Sequence, residues 1–420
     1  MPRLIIYFIL NLFFLNFSLS FTFAFAKNDI SSCKRENGSQ IPCIEITSLL
    51  PNSSEFSKSG INKTIITKKQ IEDSGAVDLI DVLKSLPDVN ITQSGPKGQQ
   101  ASIFMRGTGS NHTLVMINGI PINDQSTTQG LHDFGVDFIQ TIQQIEIYPG
   151  SSAAHFGTNA IGGAVNIILT GDYKDSFSLA SDNSANYELS GNKAFIYDDS
   201  SLNIKIGSVK NETISARGNS SDEKDGLKNY STNINYEKFF NENLRVFNTI
   251  YLRQTKAEYD NSASNQTGYE GNNKMGSIQL GLENQIGSQK DNYILYYNVY
   301  DRKYDERGVI DTYESEVLGL KYDLSRIISK KISFGAGSEY KYGWGYFDNN
   351  GSYEASTKGH TYNSGFFSNI GFRPYESMTI SLYGRSDDHK TTGLNSTHKI
   401  NILQSFKNLR INSNSGKVQP

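Results

Sequence analysis

The sequence predicts an α+β domain followed by an antiparallel β-barrel of the kind that crosses an outer membrane. The chain of 420 residues is only 37% hydrophobic, yet it is 11% aromatic, with 24 tyrosines and 23 phenylalanines. A helical period and short strands mark residues 63–171. Beyond residue 175, apolar residues alternate with polar ones in segments of about ten residues, as in barrel strands that are apolar on one face only.

Charge and hydropathy exclude several other classes of protein. Forty basic and 43 acidic residues give a net charge of −3, which excludes a general electrostatic binder of nucleic acid. The mean hydropathy is −0.46, and only the N-terminal run is apolar enough to span a bilayer as a helix, so a polytopic helical membrane protein is excluded. The sequence has no G-x-S-x-G motif, no paired catalytic carboxylates and no metalloprotease motif, and we predict no enzymatic activity.

The N-terminus predicts export from the cytoplasm. Arg3 precedes an apolar run from Leu4 to Phe25, which ends in Ala24-Phe25-Ala26. A charged start, an apolar core and an A-x-A site are typical of a Sec signal peptide, here residues 1–26. The alternative is an uncleaved membrane anchor, because the apolar run is longer than a minimal signal core.

Residues 27–62 are predicted to form a flexible leader, because they are polar and lack a sustained period. The only β-prone patch of this leader is Ile44-Glu45-Ile46-Thr47, an extended segment able to add to the edge of another sheet. Both cysteines, Cys33 and Cys43, also lie in the leader. Export favours a disulfide between them, and unpaired thiols are the alternative.

Residues 63–171 are predicted to form the α+β domain. A helical period of apolar residues runs from Ser74 to Leu86 and stops at Pro87. Glycines separate the short strands where tight turns or close backbone approach are needed, and we expect them to be structural. The predicted strands are Thr64–Thr67, Val89–Ile91, Ala101–Arg106, Thr113–Ile117, Ile145–Tyr148 and Ala164–Leu169, and these glycines are Gly107, Gly119, Gly150, Gly157, Gly162 and Gly163.

Residues 172–420 are predicted to be the N-terminal part of a transmembrane β-barrel. Segments such as 202–206, 277–282 and 378–383 alternate with a period of two and are separated by loops rich in Asn, Asp, Gly and Ser. We expect about a dozen strands between residues 175 and 412. The last residues, 414–420, lack a closing amphipathic strand, so the barrel is expected to be incomplete.

Five segments between residues 83 and 168 follow one another in a recognisable order. They are Leu83–Val89 (LKSLPDV), Ile103–Gly107 (IFMRG), Leu114–Gly119 (LVMING), Ile145–Gly157 (IEIYPGSSAAHFG) and Ala160–Ile168 (AIGGAVNII). The series resembles the plug domain of TonB-dependent outer-membrane receptors. The resemblance extends over residues 44 to 415 and is strongest to the cobalamin (vitamin B12) receptors of that family.

The resemblance implies a plug inside a transmembrane barrel, with about 12 of 22 strands present in this chain. It implies a monomeric outer-membrane transporter whose leader and plug base face the periplasm. Residues Ile44, Glu45, Ile46 and Thr47 would be the box that binds TonB, or else an ordinary linker. The substrate would be cobalamin or a related corrinoid. The alternatives are a ferric-siderophore receptor and a truncated remnant or binding protein that does not transport.

The resemblance also implies a set of substrate contacts in the plug loops. Gly109 offers no side chain where the family has Asn, and Gln100 replaces an apolar residue. The alternative for each of these residues is an ordinary loop residue that contacts only solvent. We expect Arg106 to form a buried ion pair between plug and barrel rather than to contact substrate. The implied substrate residues are Gln100, Ser102, Gly109, Thr127 and Thr128.

Acidic barrel loops fall where the cobalamin receptors bind calcium. Loops rich in carboxylates suit a hard cation that takes six to eight oxygen ligands. Thr213 occupies the place of one ligand of the family, and solvated loop carboxylates are the alternative reading. The calcium ligands implied by the resemblance are Glu223, Asp225, Tyr259, Asp260 and Glu270.

Overall fold

The computed structural model leaves most of the leader outside the residues that it describes. The predicted signal peptide, the segment Ile44-Glu45-Ile46-Thr47 and Cys43 all lie outside them, so the disulfide between Cys33 and Cys43 stays a prediction. The described residues are 32–34, 40–42, 63–127, 129–150, 156–183, 186–214, 224–260, 268–351, 355–406 and 409–417.

Two short strands in the leader, β1 (Ser32–Lys34) and β2 (Gln40–Pro42), pair in antiparallel register. The prediction that the leader has only one β-prone patch is therefore wrong. Main-chain hydrogen bonds can pair a few polar residues whose side chains carry little β-propensity, because that propensity mainly measures how side chains pack on a sheet.

The plug contains a five-stranded mixed sheet and a separate two-stranded sheet. The order in the larger sheet is β3-β8-β9-β6-β7, in which β6 and β9 are parallel, and β4 pairs with β5. Its elements are β3 (Thr64–Thr67), α1 (Lys68–Asp73), α2 (Leu79–Leu83), β4 (Val89–Gln93), β5 (Ala101–Met105), β6 (Thr113–Ile117), β7 (Ile120–Pro121), β8 (Gln144–Pro149) and β9 (Gly163–Ile168).

Local capping explains why the helices differ from the predicted one. Thr67 is the N-cap of helix α1. Its hydroxyl accepts from the Gln70 N–H at 3.4 Å, and the Gln70 side chain accepts from the Thr67 N–H at 2.9 Å. This reciprocal capping box was not recognised in the sequence. Helix α2 starts later than expected, because Gly75 has φ +66° and Asp78 is an extended N-cap whose carboxylate accepts from the Asp81 N–H.

The core of the plug lies between helix α2 and the strands. Leu79, Ile80 and Leu83 are fully buried and belong to the same apolar cluster as Ile103 and Val165. Burial of each such side chain contributes about 1.5–3 kcal/mol relative to exposure. The cluster also contains three barrel residues, so the plug core continues onto the inner face of the barrel sheet; these are Tyr251, Met275 and Tyr300.

The glycines of the plug have the structural role that the sequence predicts. Gly163 has φ +153°, and a Cβ at this position would lie 2.7 Å from the Tyr148 carbonyl oxygen. A side chain therefore cannot be placed where β9 begins beside β8. Positive φ values are also found at Gly107, Gly119, Gly150 and Gly157.

The barrel part is a 13-stranded antiparallel sheet in which every strand pairs with its neighbours in chain order. In the described residues, the two end strands do not pair with each other, so the sheet is open. The strands are β10 (Ser176–Ser181), β11 (Tyr187–Ile196), β12 (Ser200–Ile214), β13 (Lys224–Phe239), β14 (Leu244–Glu258), β15 (Tyr269–Ile286), β16 (Gln289–Glu306), β17 (Val309–Ser329), β18 (Ile332–Asn349), β19 (Ala355–Tyr375), β20 (Met378–His389), β21 (Gly393–Phe406) and β22 (Leu409–Lys417).

Strand β22 corrects one sequence expectation. Residues 414–417 were expected to lie outside any strand, because they lack amphipathic alternation, yet they continue β22 and pair with β21. Main-chain pairing with a neighbouring strand does not require an alternating side-chain pattern. The strand count is accordingly 13, where about a dozen were predicted.

The two faces of the sheet confirm the predicted alternation. Leu252, Leu318 and Ile370 point outward and are strongly exposed, whereas Asn233 and Lys399 point inward and are buried. An apolar outer face and a polar inner face are the pattern of a membrane-spanning barrel. No helix in the described part of the chain is long and apolar enough to cross a membrane.

The two ends of the sheet differ in the length of their connections. Turns such as 287–288 and 376–377 close one end, and the longer connection 259–268 lies at the other. The Gln99 side chain of the plug donates to the Glu258 carbonyl oxygen at 3.3 Å. The plug loop that contains Gln99 therefore lies at the end with the long connections.

Leu318 lies near the middle of β17 and is 47% exposed on the outer face. We expect Leu318→Arg to lower the free energy of unfolding by about 2–4 kcal/mol, because the charge would face lipid near the bilayer midplane. The matched variant Leu394→Arg, at the end of β21, should cost about 0–1 kcal/mol. Urea titration in lipid vesicles, followed by the fluorescence of Trp344, measures the free energy of unfolding of both variants. Equal losses in the two variants would contradict an apolar outer band.

Candidate functional site

Side chains of the barrel sheet hold the plug by its main chain. The Asn298 amide donates to the Pro121 carbonyl oxygen at 2.8 Å, and the Tyr300 hydroxyl donates to the Ile122 carbonyl oxygen at 2.5 Å. Strand β7, which contains Pro121, is the edge of the plug sheet, and its outward carbonyl groups would otherwise be buried without partners. The inward polar residues of the barrel therefore complete the hydrogen bonding of this plug edge.

Two ion pairs are buried between the plug and the barrel. Asp137 of the plug pairs with Arg253 of β14, and Asp124 pairs with Arg302 of β16 at 2.8 Å. All four residues are at most 7% exposed. Breaking a buried pair by removing one partner typically costs about 3–5 kcal/mol, because the other charge is left uncompensated.

Asp137 has a second partner within the plug. The His132 Nε2 lies 2.6 Å from one carboxylate oxygen of Asp137, and Arg253 contacts the other. Burial alone would raise the pKa of Asp137, but Arg253 and His132 hold this pKa below its usual range. Asp137 therefore stays an anion at neutral pH in spite of its burial.

Arg106 does not form the predicted buried ion pair with the barrel, and this prediction is wrong. Its side chain is 41% exposed and its guanidinium lies 3.5 Å from the carboxylate of Asp88, which also belongs to the plug. The backbone of Arg106 has φ +50°, and the following Gly107 has φ +77°. This left-handed turn ends β5 and leaves Arg106 beside Asp88, whose carbonyl oxygen accepts from the Arg106 N–H at 3.3 Å.

Arg253 and Arg302 are plug contacts that were not predicted from the sequence. Arg253 follows Leu252, which faces outward, so the alternation of β14 directs Arg253 to the interior. A charged residue at an inward position of a barrel strand is the signal that could have identified both arginines. Their partners Asp124 and Asp137 give no such signal, because they lie in irregular plug segments.

The implied substrate residues occupy different parts of the plug surface. Gln100 and Gly109 are exposed and Ser102 is half-buried within β5. Gln100 precedes strand β5, which is roughly 17 Å long at about 3.3 Å per residue, and Gly109 follows the left-handed turn after it. The Thr127 hydroxyl donates to the Asp124 carbonyl oxygen at 2.9 Å and accepts from a main-chain N–H. Thr128 lies outside the described residues.

The implied calcium ligands are only partly described. Asp225 is buried in β13, Tyr259 and Asp260 begin the loop after β14, and Glu270 of β15 pairs with Lys256 at 3.1 Å. Within the described residues, no group of three or more carboxylate, histidine or cysteine side chains could hold a metal ion. Glu223 and the loops 215–223 and 261–267 lie outside them, so calcium binding stays a prediction.

A cleft of about 300 Å³ separates the plug from the barrel at the end with the long connections. Gln100 lines it from the plug, and Tyr259 lines it from the barrel loop. The structure thus brings one implied substrate residue and one implied calcium ligand to the same cleft. The cleft is referred to below as the rim cleft.

The plug matches a known family model. Residues 56–164 match the TonB-dependent Receptor Plug Domain. The chain belongs to the TonB-dependent receptors. The vitamin B12 transporter BtuB of Vibrio vulnificus strain YJ016 is 43% identical over 104 residues, which are 25% of this chain and 17% of that protein. BtuB of strain CMCP6 is 25% identical over 284 residues, which are 66% and 46% of the two chains. The receptor chain spans less than half of the length of these curated relatives.

Solved structures of other receptors share the fold. The siderophore receptor PirA from Acinetobacter baumannii has a TM-score of 0.70 at 18% identity, covering 87% of this chain and 62% of PirA. The ferric yersiniabactin uptake receptor FyuA from Yersinia pestis has a TM-score of 0.64 at 13% identity, with coverage of 87% and 62%. At these identities the similarity concerns the TonB-dependent receptor fold alone.

Removing the arginine of one buried pair should loosen the plug of this receptor. We expect Arg253→Met to destabilise plug docking by about 3–5 kcal/mol, because Asp137 would remain buried with His132 as its partner. The double variant Arg253→Met/Asp137→Leu should recover much of this loss, and Lys303→Met on the exposed face should change little. Trypsin cleavage of the plug in detergent, measured against urea concentration, tests this. If Arg253→Met resists trypsin as well as the parent protein does, the buried pair does not stabilise plug docking.

Proposed function

We propose that this receptor chain acts in the energy-coupled uptake of cobalamin or a related corrinoid across the bacterial outer membrane. The observation that supports it most strongly is the 43% identity over 104 residues to a vitamin B12 transporter. The apolar outer face of the barrel sheet is consistent with a position in a membrane. The hydrogen bonds and ion pairs buried between plug and barrel, called the polar seam below, are consistent with a plug that fills the interior.

The proposed mechanism is binding and transport without covalent chemistry. Substrate binds at the end with the long connections, against the plug loops that carry Gln100, Ser102, Gly109, Thr127 and Thr128. The plug blocks the interior while its ion pairs with Arg253 and Arg302 are intact. Transport then requires a pulling force that breaks or shifts this docking.

TonB and its inner-membrane complex are the proposed source of that force. The leader segment Ile44-Glu45-Ile46-Thr47 would add as an edge strand to TonB on the periplasmic side, so that main-chain hydrogen bonds carry the force. Calcium is proposed to order the outer loops through Glu223, Asp225, Tyr259, Asp260 and Glu270. Such loop oxygens are the ligands that a hard cation prefers.

A ferric-siderophore receptor is the second candidate function. The fold similarity to PirA and FyuA favours it, since these proteins are named as a siderophore receptor and a ferric yersiniabactin uptake receptor. Calorimetric titration of the detergent-solubilised chain with cyanocobalamin and with a ferric siderophore separates the two. Binding of the siderophore alone would replace the corrinoid proposal.

Gln100 offers a direct test of the substrate site. We expect Gln100→Ala to weaken cyanocobalamin binding by about 2–13-fold, because one net hydrogen bond contributes about 0.5–1.5 kcal/mol. Gln285→Ala, beside the short turn at the opposite end of the sheet, is the matched control and should bind as the parent does. Equal dissociation constants for the parent and Gln100→Ala would remove Gln100 from the site.

The leader segment can be tested by its main chain. Ile46→Pro removes one N–H donor and restricts the backbone at Glu45, so it should abolish uptake of labelled cobalamin while leaving equilibrium binding unchanged. Glu45→Gln keeps the backbone donor and acceptor and should have a far smaller effect. If the Ile46→Pro protein takes up cobalamin at the parental rate, this segment is a linker.

A further inference from the structure

Three tyrosine rings form one wall of the rim cleft. Tyr259, Tyr304 and Tyr313 all line it. The ring centroids of Tyr259 and Tyr304 lie 6.4 Å apart, and those of Tyr304 and Tyr313 lie 6.0 Å apart, with interplanar angles of 72° and 83°. This edge-to-face row presents ring faces and hydroxyl groups to a ligand, and such surfaces bind cations and N–H donors.

The rim cleft also carries an excess of negative charge. Asp133, Glu306 and Asp311 line it, and none of the described residues that line it is a lysine, an arginine or a histidine. Asp133 belongs to the plug, where one carboxylate oxygen accepts from the Ala101 N–H at 3.0 Å and from the Gly135 N–H at 2.9 Å, whereas Glu306 and Asp311 belong to the barrel sheet. The carboxylates of the rim cleft are therefore not neutralised by a basic side chain in its wall.

Arg302, which contacts the ring of Tyr313, also pairs with a buried carboxylate of the plug. The Nε atom of Arg302 lies 2.8 Å from the carboxylate of Asp124, and its guanidinium carbon lies 4.8 Å from the ring centroid of Tyr313. Arg302 thus neutralises the buried plug carboxylate and packs against the ring of Tyr313. It does not belong to the lining of the rim cleft.

Hydrogen bonds hold the two rim carboxylates in place. The Tyr259 hydroxyl donates to Glu306 at 3.4 Å, and the Asn349 amide donates to one oxygen of Asp311. The two residues lie at facing ends of β16 and β17, which are joined by a tight turn. The carboxylates of Glu306 and Asp311 consequently belong to strands of the barrel sheet and not to a connecting loop.

We propose that the rim cleft is a substrate subsite for an uncharged or cationic group that bears N–H donors, and that it rejects anionic groups. Glu306 and Asp311 are the specificity-determining residues. Carboxylates accept N–H donors such as those of a carboxamide, whereas an anionic group would be placed beside fixed charges of the same sign. The inference rests on the proposed function, since it assigns the chemistry of one part of the same substrate site.

Matched corrinoids test the inference. The probes are cyanocobalamin and its separated monocarboxylic acid isomers, in which a side-chain carboxamide is replaced by a carboxylate. We expect the parent protein to bind at least one isomer more than about tenfold more weakly than cyanocobalamin at pH 7. In Glu306→Gln/Asp311→Asn, that ratio should fall to about twofold or less.

A second double variant controls for net charge. Glu314→Gln/Glu316→Gln removes two carboxylates from outward positions of β17 that do not line the rim cleft, and it should keep the tenfold ratio. If Glu306→Gln/Asp311→Asn still binds the carboxylic acid isomer about tenfold more weakly than cyanocobalamin, the proposal is overturned. Equal binding of all isomers by the parent protein would also overturn it.

Ion quenching tests the rim cleft without a corrinoid. If cyanocobalamin itself does not bind, the proposed function fails, but the charge preference of the cleft can still be measured. The probe is the variant Trp344→Phe/Tyr313→Trp, whose single tryptophan lies in the cleft. Caesium should quench this tryptophan at least about threefold more than iodide, relative to free tryptophan. Adding Glu306→Gln/Asp311→Asn should abolish the difference. Equal quenching before that addition would overturn the inference.

Discussion

Charges buried between the plug and the barrel must be paired, and this constraint determines how the plug is held. Asp137 with Arg253 and Asp124 with Arg302 join irregular plug segments to the middle of the sheet. Each charge alone would carry a desolvation penalty of several kcal/mol. The pairs therefore favour one docked position of the plug over displaced positions, in which the same charges would be buried without partners.

The polar character of this seam follows from the barrel itself. A membrane-facing strand must direct apolar side chains outward, and alternation then directs every second residue to the interior. Residues such as Asn298 and Tyr300 use that inward position to bind plug carbonyl groups. When hydrogen bonds and ion pairs are exposed to water, less free energy is lost than when an apolar core is exposed, because water can replace the polar partners. Such contacts would suit the plug movement that the proposed transport requires.

The rim cleft lies where these two parts meet the outer loops. Tyr304, Glu306, Asp311 and Tyr313 come from the ends of β16 and β17, and Tyr259 comes from the loop after β14. The plug contributes Asp133 and the loop that contains Gln100. The same seam that fixes the plug thus sets the shape of the candidate substrate site. A shift of the plug would change its docking and the shape of this candidate site together. The proposed substrate binding would thereby be coupled to plug release.

The sequence alone determined the alternation of the barrel strands, most plug strands and the places where glycine is required, because these depend on local backbone geometry and on which face meets lipid. Helix boundaries were less predictable, since the Thr67 capping box and the left-handed Gly75 act through single side-chain contacts and backbone angles. Only the tertiary structure decided the ion partners. Arg106 bonds within the plug, and Arg253 meets an aspartate 116 residues earlier in the chain, because burial and charge pairing across two packed parts leave no periodic trace in the sequence.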